Sequence, residues 1–302
     1  MNTPDVDGLL VLDKPAGMTS RAVVDRVLRW FPRRTRIGHT GTLDPLATGV
    51  LVLCLGEATR LSEYVQRMSK TYRTTFQLGA RSDSDDADGV VTPVPCAIAP
   101  DTATVAECVA SFVGLIPQVP PAYSAAKIAG RRAYDLARRG REVTLSPRSI
   151  EIYGIELLNY AYPHLELEVR CGKGTYIRSL ARDVGERLGS GALVQTLRRL
   201  RVGPFAVEKA LTLDTEAETV REHLLPMEMA IAELPRFVLS DSELTRLSQG
   251  QSVAIPSTGG TPVPPAGETA VFDEAGCLAA VATFDPGRQM LQPAKVFQSK
   301  KR

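Results

Sequence analysis

The chain has 302 residues, 44% of them hydrophobic and 23% charged, with a formal net charge of +2. That length and balance suit one large domain with a real core plus a small appendage, and they exclude a fibrous or disordered chain. No apolar run reaches the roughly 20 residues that span a bilayer, and MNTPDVDG lacks the basic start and apolar stretch of a secretory signal, so a cytosolic protein with no membrane partner is expected.

In chain order, GLLVLDKP (Gly8 to Pro15) reads as a short buried strand ended by a turn. Ser20 can cap a helix running to Trp30, with Val23, Val24, Val27 and Leu28 on one face. The tight stretch GHTGTLDPLATGV follows, and GVLVLCLG has the continuous apolar character of a strand buried on both faces. ATRLSEYVQRM continues as an amphipathic helix and KTYRTTFQLG as an alternating strand. RSDSDDADG carries the turn chemistry of a solvated loop. TATVAECVASFVG looks helical, and RRAYDLARRG reads as a short basic helix closed by Gly140. SIEIYGIELLNY and HLELEVRC are strand-like, and TYIRSLARDVGERLG is a helix with Ile177, Leu180, Ala181, Val184 and Leu188 on one stripe. The strands lie too close together for regular βαβ crossovers, so a mixed α+β fold on a largely antiparallel sheet is expected. After Pro235 the composition shifts to Gly, Pro, Ser and Thr between short alternating runs, as in small β-rich domains.

Several chemistries are disfavoured by spacing. The five cysteines, Cys54, Cys96, Cys108, Cys171 and Cys277, are scattered and form no CxxC, so neither a disulfide framework nor a zinc site is suggested. The acidic loop has Ala87 at the fifth position from Asp83 and no closing glutamate, so it fails as a calcium loop. CGKGTY lacks the glycine spacing of a phosphate loop. His39, His164 and His223 are dispersed without metal-ligand spacing, and no GxSxG elbow supports a serine nucleophile.

Asp44 is the residue these exclusions leave. A carboxylate in a Gly-rich, Pro-followed loop is held by the backbone, although structural turns also use Asp. Arg178 starts a helix after CGKGT, where its cation could pair with Asp44 and keep it ionised, and an ionised, oriented carboxylate can act as a nucleophile. Basic residues gather in Arg33 to Arg36, in Lys127 to Arg141 and in Lys173 to Arg201, away from the acidic stretches, so the chain can present a positive face to a polyanion.

Six segments, in order, carry a family resemblance: GLLVLDKPAGMTS, IGHTGTLDPLATGVLVLCLGEATRL, KTYRTTFQLGARSDSDDADG, PPAYSAAKIAGRRAYDLARRG, CGKGTYIRSLARDVG and LRRLRVGPF. The chain resembles the bacterial tRNA pseudouridine-55 synthases of the TruB type over nearly its full length. The resemblance implies isomerisation of a uridine in the T arm of tRNA to pseudouridine, by base flipping and without metal, nucleotide or redox cofactor. It implies that Asp44 is the nucleophile, that Arg178 pairs with it, and that Tyr72 stacks on the target base and abstracts a proton. Tyr176 and Leu197 then line the base pocket, His39 intrudes into the RNA loop, and Lys14, Lys127, Arg131 and Arg132 bind the RNA. Residues 1–234 are expected to form the catalytic domain, with a basic RNA-gripping insertion around 120–148, and residues 235–302 a small β-rich appendage of the PUA type. A monomer without an obligate protein partner is expected. Two rivals are a guide-RNA-dependent synthase acting on ribosomal RNA and a tRNA-folding factor whose catalysis is secondary.

Overall fold

The computed structural model describes residues 6–95, 98–124, 127–128, 131–132, 145–255 and 263–297, with the backbone alone at 127–128 and 131–132. Its centre is a nine-stranded sheet. The main path runs Gly8–Lys14, Thr48–Leu55, Ala192–Val202, Lys70–Leu78, His164–Cys171, Arg148–Ala161, Gly114–Gln118, with Ile37–His39 and Phe205–Ala206 pairing beside it. Thr48–Leu55 runs parallel to Ala192–Val202; the other pairings in this sheet are antiparallel.

The two apolar runs at the start of the chain explain the layering. Leu10, Leu12, Leu51, Leu53 and Leu55 point into one core, shared with the helices Ser20–Val27, Thr102–Ala110 and Ile177–Arg187. Their alternating neighbours Leu9, Val11, Val50, Val52 and Cys54 point into a second core on the opposite face. Both faces of these strands are thus covered, which is why their sequences do not alternate. The stripe Ile177, Leu180, Ala181 and Val184 is buried against the first core, with Leu188 packed at its edge.

A second, five-stranded sheet has the order Arg236–Val238, Gly267–Phe272, Leu278–Asp285, Met290–Val296, Val253–Ala254. Its Ala270, Phe272, Leu278, Val281 and the following Phe297 complete the second core of the larger body. Polar ties reinforce the seam: Tyr64 donates to Glu268 at 2.8 Å, and the Lys295 ammonium donates to the Arg60 carbonyl at 2.7 Å. Among the described residues no helix is long and apolar enough to cross a membrane.

Local readings of the sequence need correction at three places. The cap of the first helix is Thr19, whose hydroxyl accepts from the Ala22 amide at 3.1 Å. Ser20 instead turns inward: its Oγ accepts from the Leu43 amide at 2.8 Å and donates to the Leu43 carbonyl at 3.1 Å. The expected helix over ATRLSEYVQRM is a 3-10 segment, Gly56–Leu61, followed by a short α-helix, Ser62–Arg67. RSDSDDADG is more than a solvated turn, because it docks on the sheet. Its Asp86 is 4% exposed, the Ala87 amide donates to the Val194 carbonyl at 2.9 Å, and the Val194 amide donates to the Asp85 carbonyl at 3.0 Å. Residues 133–140 of the expected basic helix lie outside the described residues; Arg131–Arg132 pair as a short strand with Lys127–Ile128.

Gly49 is where the sheet dictates a glycine. Its φ is +100°, and a Cβ there would lie 2.2 Å from the Arg199 carbonyl oxygen. Gly49→Ala is therefore expected to cost about 2–4 kcal/mol through backbone strain and overpacking. Gly38→Ala, whose added methyl meets nothing within 4 Å, should stay within about 0.5 kcal/mol of wild type. Urea unfolding of the pair checks this; equal stability would mean the two strands separate at little cost.

Candidate active site

The turn that presents Asp44 is anchored by five sets of contacts. Ser20 holds Leu43 as described, the Gly17 amide donates to the Pro45 carbonyl at 2.8 Å, and the Ala47 amide closes back on the Asp44 carbonyl at 3.1 Å. Lys14, wholly buried, spans from the Pro15 and Met18 carbonyls at 2.8 and 2.6 Å to that of Pro45 at 3.4 Å. From the other side Arg199 donates to the Gly41 carbonyl at 3.1 Å. The carboxylate is thereby fixed by its backbone while a third of its side chain remains exposed.

The Ile177–Arg187 helix delivers Arg178 to this carboxylate. Arg178 Nη2 donates to Asp44 Oδ1 at 3.1 Å, and Nε lies 2.9 Å from Oδ2, a side-on approach using both carboxylate oxygens. The same guanidinium donates to the carbonyls of Ser84 and Tyr123 at 2.9 and 2.8 Å, and its Nη1 sits 3.5 Å from Asp86. Sequence reasoning missed Asp86. The signal available was only a carboxylate-rich loop, and nothing local says which of its four aspartates turns inward.

Tyr72 lies on the Lys70–Leu78 strand, 8% exposed, between Val169 and Arg199 in register. The charges of Arg199 and Asp44 both reach its phenol. Leu197 is on the same face of the neighbouring strand, opposite Thr74, and 8% exposed. Tyr176 precedes the Arg178 helix, half-buried, and its backbone is gripped twice by Gln118: the Tyr176 amide donates to Oε1 at 2.8 Å and its carbonyl accepts from Nε2 at 3.1 Å. Gln118, 2% exposed, is a second residue the sequence did not flag.

His39 ends the short Ile37–His39 strand, half-buried and opposite Leu53. Lys14, expected to bind RNA, is buried with its ammonium on three backbone carbonyls, where it holds the Asp44 turn. Lys127, Arg131 and Arg132 sit on the two short paired strands away from this cluster in sequence, and their side chains lie outside the described residues.

Opposing effects set the Asp44 carboxyl. Burial raises its pKa most, the Arg178 cation lowers it, Asp86 raises it and Lys14 lowers it, with a net shift above the ordinary carboxylate range. Lys14 itself is pushed down to about 8 by burial. A protonated Asp44 cannot attack, so activity should fall on acidification through this raised value, at higher pH than a free carboxylate would dictate. Asp86→Asn removes one raising charge and should move the acid limb of the rate profile to lower pH. A shift the opposite way would mean that Asp86 acts by holding Arg178 rather than by its field.

A fixed carboxylate under a two-oxygen guanidinium, with a buried tyrosine within reach of its charge, is an arrangement that can carry out nucleophilic attack. Residues 29–177 match the model of the TruB family pseudouridylate synthase N-terminal domain, and residues 178–232 that of the tRNA pseudouridylate synthase B C-terminal domain. The chain belongs to the TruB family. The junction between the two family regions falls inside the helix that carries Arg178, so it marks no break in the structure. Among curated relatives, a tRNA pseudouridine synthase B of Dehalococcoides mccartyi is 42% identical over 97% of both chains. One from Ruegeria sp. is 41% identical over 97% of this chain and 96% of its own. The TruB fold is also seen in a solved Cbf5–Nop10–Gar1 complex, with a TM-score of 0.71 and 27% identity over 96% of this chain and 85% of that one.

Proposed function

We propose that this TruB-family chain isomerises uridine to pseudouridine in tRNA, at position 55 of the T arm, as a stand-alone enzyme. The observation that carries the reading is the Asp44–Arg178 pair at 2.9 Å, set on a backbone-anchored turn beside Tyr72. The full-length relatives named tRNA pseudouridine synthase B support tRNA as substrate.

The target uridine leaves its stack at a cost of a few kcal/mol, and stacking on an aromatic ring returns about 1–3 kcal/mol of it. Tyr72 supplies that ring, with Leu197 and Tyr176 beside it. Asp44 attacks the sugar carbon as the ionised carboxylate while the glycosidic bond to N1 breaks; the uracil anion turns and C5 bonds to the same carbon, displacing the Asp44 carboxylate, and N1 takes a proton from solvent. Tyr72 then takes the C5 proton, which passes to solvent. His39 fills the space the base has left. Lys127, Arg131 and Arg132 hold phosphates, and residues 235–302 add a PUA-like contact outside the 1–234 catalytic domain. The enzyme acts as a monomer in the cytoplasm.

Tritium release from C5 of uridine in an unmodified tRNA transcript, without guide RNA, tests this. Wild-type release, mapped to the T arm by sequencing, is the expected result. No release with tRNA still bound would sink the stand-alone reading and favour guide dependence.

A further inference from the structure

We propose that Arg199 is the positioning residue for Tyr72, a buried cation set directly across the sheet from it that stabilises the phenolate accepting the C5 proton; this rests on the isomerase reading above. Arg199 is 3% exposed. Its Nε donates to the Val50 carbonyl at 2.7 Å and its Nη2 to the Gly41 carbonyl at 3.1 Å, and it is the direct cross-strand partner of the buried Tyr72, whose phenol its charge reaches. In register it stands between Tyr72 on one side and Gly49 on the other. One guanidinium is thus tied to both ends of the turn that carries Asp44 while its residue pairs with the proton acceptor in the sheet.

The two buried arginines differ in how their charge is met. Arg178 faces two carboxylates, Asp44 and Asp86. Arg199 has no ion pair with any carboxylate among the described residues, and the nearby Lys14 and Lys70 are cations whose own pKa values it lowers. A buried guanidinium that meets only neutral oxygens is costly to keep. Such a group is retained where negative charge appears during the reaction. The ionisable group directly opposite it in the sheet is Tyr72.

The groups acting on Tyr72 are Arg199, the Cys171 thiol and Asp44. Burial raises the phenol pKa, and Arg199 is the main influence lowering it; Cys171 and Asp44 both raise it. In the step concerned, the C5–H bond breaks, its electron pair restores the uracil double bond, and the proton goes to the phenolate. The phenol has earlier lost its own proton to water. With Arg199 removed, the phenolate forms at higher pH and the step slows at neutrality.

The test is single-turnover tritium release from tRNA across pH for wild type, Arg199→Lys, Arg199→Met and Tyr72→Phe, with tRNA binding and circular dichroism measured alongside. Arg199→Met is expected to lose about 100-fold in rate at neutral pH with its profile displaced to higher pH, and Arg199→Lys to lose less. Placing 3-fluorotyrosine, a more acidic phenol, at position 72 should return at least about tenfold to Arg199→Met. A loss equal at every pH and untouched by fluorotyrosine would overturn the proposal, as would an unchanged rate. Should Arg199→Met fail to fold, the profile of Arg199→Lys with and without fluorotyrosine decides on the same criteria. A silent wild type would refute the isomerase reading instead, so the two failures are distinct.

Discussion

Asp44→Ala is expected to abolish tritium release, lowering the single-turnover rate by at least about 10,000-fold, or about 5.5 kcal/mol of transition-state stabilisation. The size follows from the chemistry: without the carboxylate there is no group on the anchored turn to attack, and the neighbouring cations cannot substitute for it. Binding should move the other way or not at all. Removing Asp44 leaves Arg178 and Lys14 with less opposing charge, so a polyanion meets a site that is more positive than before. Affinity for tRNA is thus expected within about tenfold of wild type, and Asp44→Asn should behave alike while keeping the shape. Filter binding beside the tritium assay separates the two effects. Retained turnover in either variant would return Asp44 to the role of a turn residue.

Asp44 could be singled out from sequence because its surroundings are local: the glycines, Pro45 and the apolar run after Gly49 all lie within a few positions. The two double-sided strands were equally plain, since continuous burial leaves a continuous apolar run. What escaped depends on contacts across the chain. Asp86 is buried because its loop docks on Val194, over 100 residues later, and RSDSDDADG has no internal sign of that. Gln118 grips Tyr176 from a distant strand edge. Arg199 hides in LRRLRV among exposed or half-exposed arginines that read as a solvated basic stripe. A period-two signal was present there, because Leu197 and Arg199 share a face while Arg198 and Thr196 take the other. Ser20 and Thr19 are both good caps, and only the position of Leu43 decides which one turns inward.

Replacing Arg178 should cost both stability and rate, in proportions that reveal its role. Arg178→Ala leaves Asp86, 4% exposed, without its cation and orphans the carbonyls of Ser84 and Tyr123. Breaking such a buried pair typically costs about 3–5 kcal/mol, so a lowered unfolding temperature is expected together with loss of turnover. Arg178→Lys is the sharper variant. It keeps the charge but cannot meet both Asp44 oxygens and two carbonyls at once, because an ammonium is a point donor rather than a fork. Its stability should recover in part while kcat stays down by about 100-fold, with tRNA affinity within about tenfold of wild type. If the lysine variant turned over normally, the charge alone would suffice and the two-oxygen geometry would be incidental. If instead both variants lost binding and kept kcat, Arg178 would be acting on the RNA backbone, and the carboxylate it covers would need another partner to remain ionised in a setting that raises its pKa.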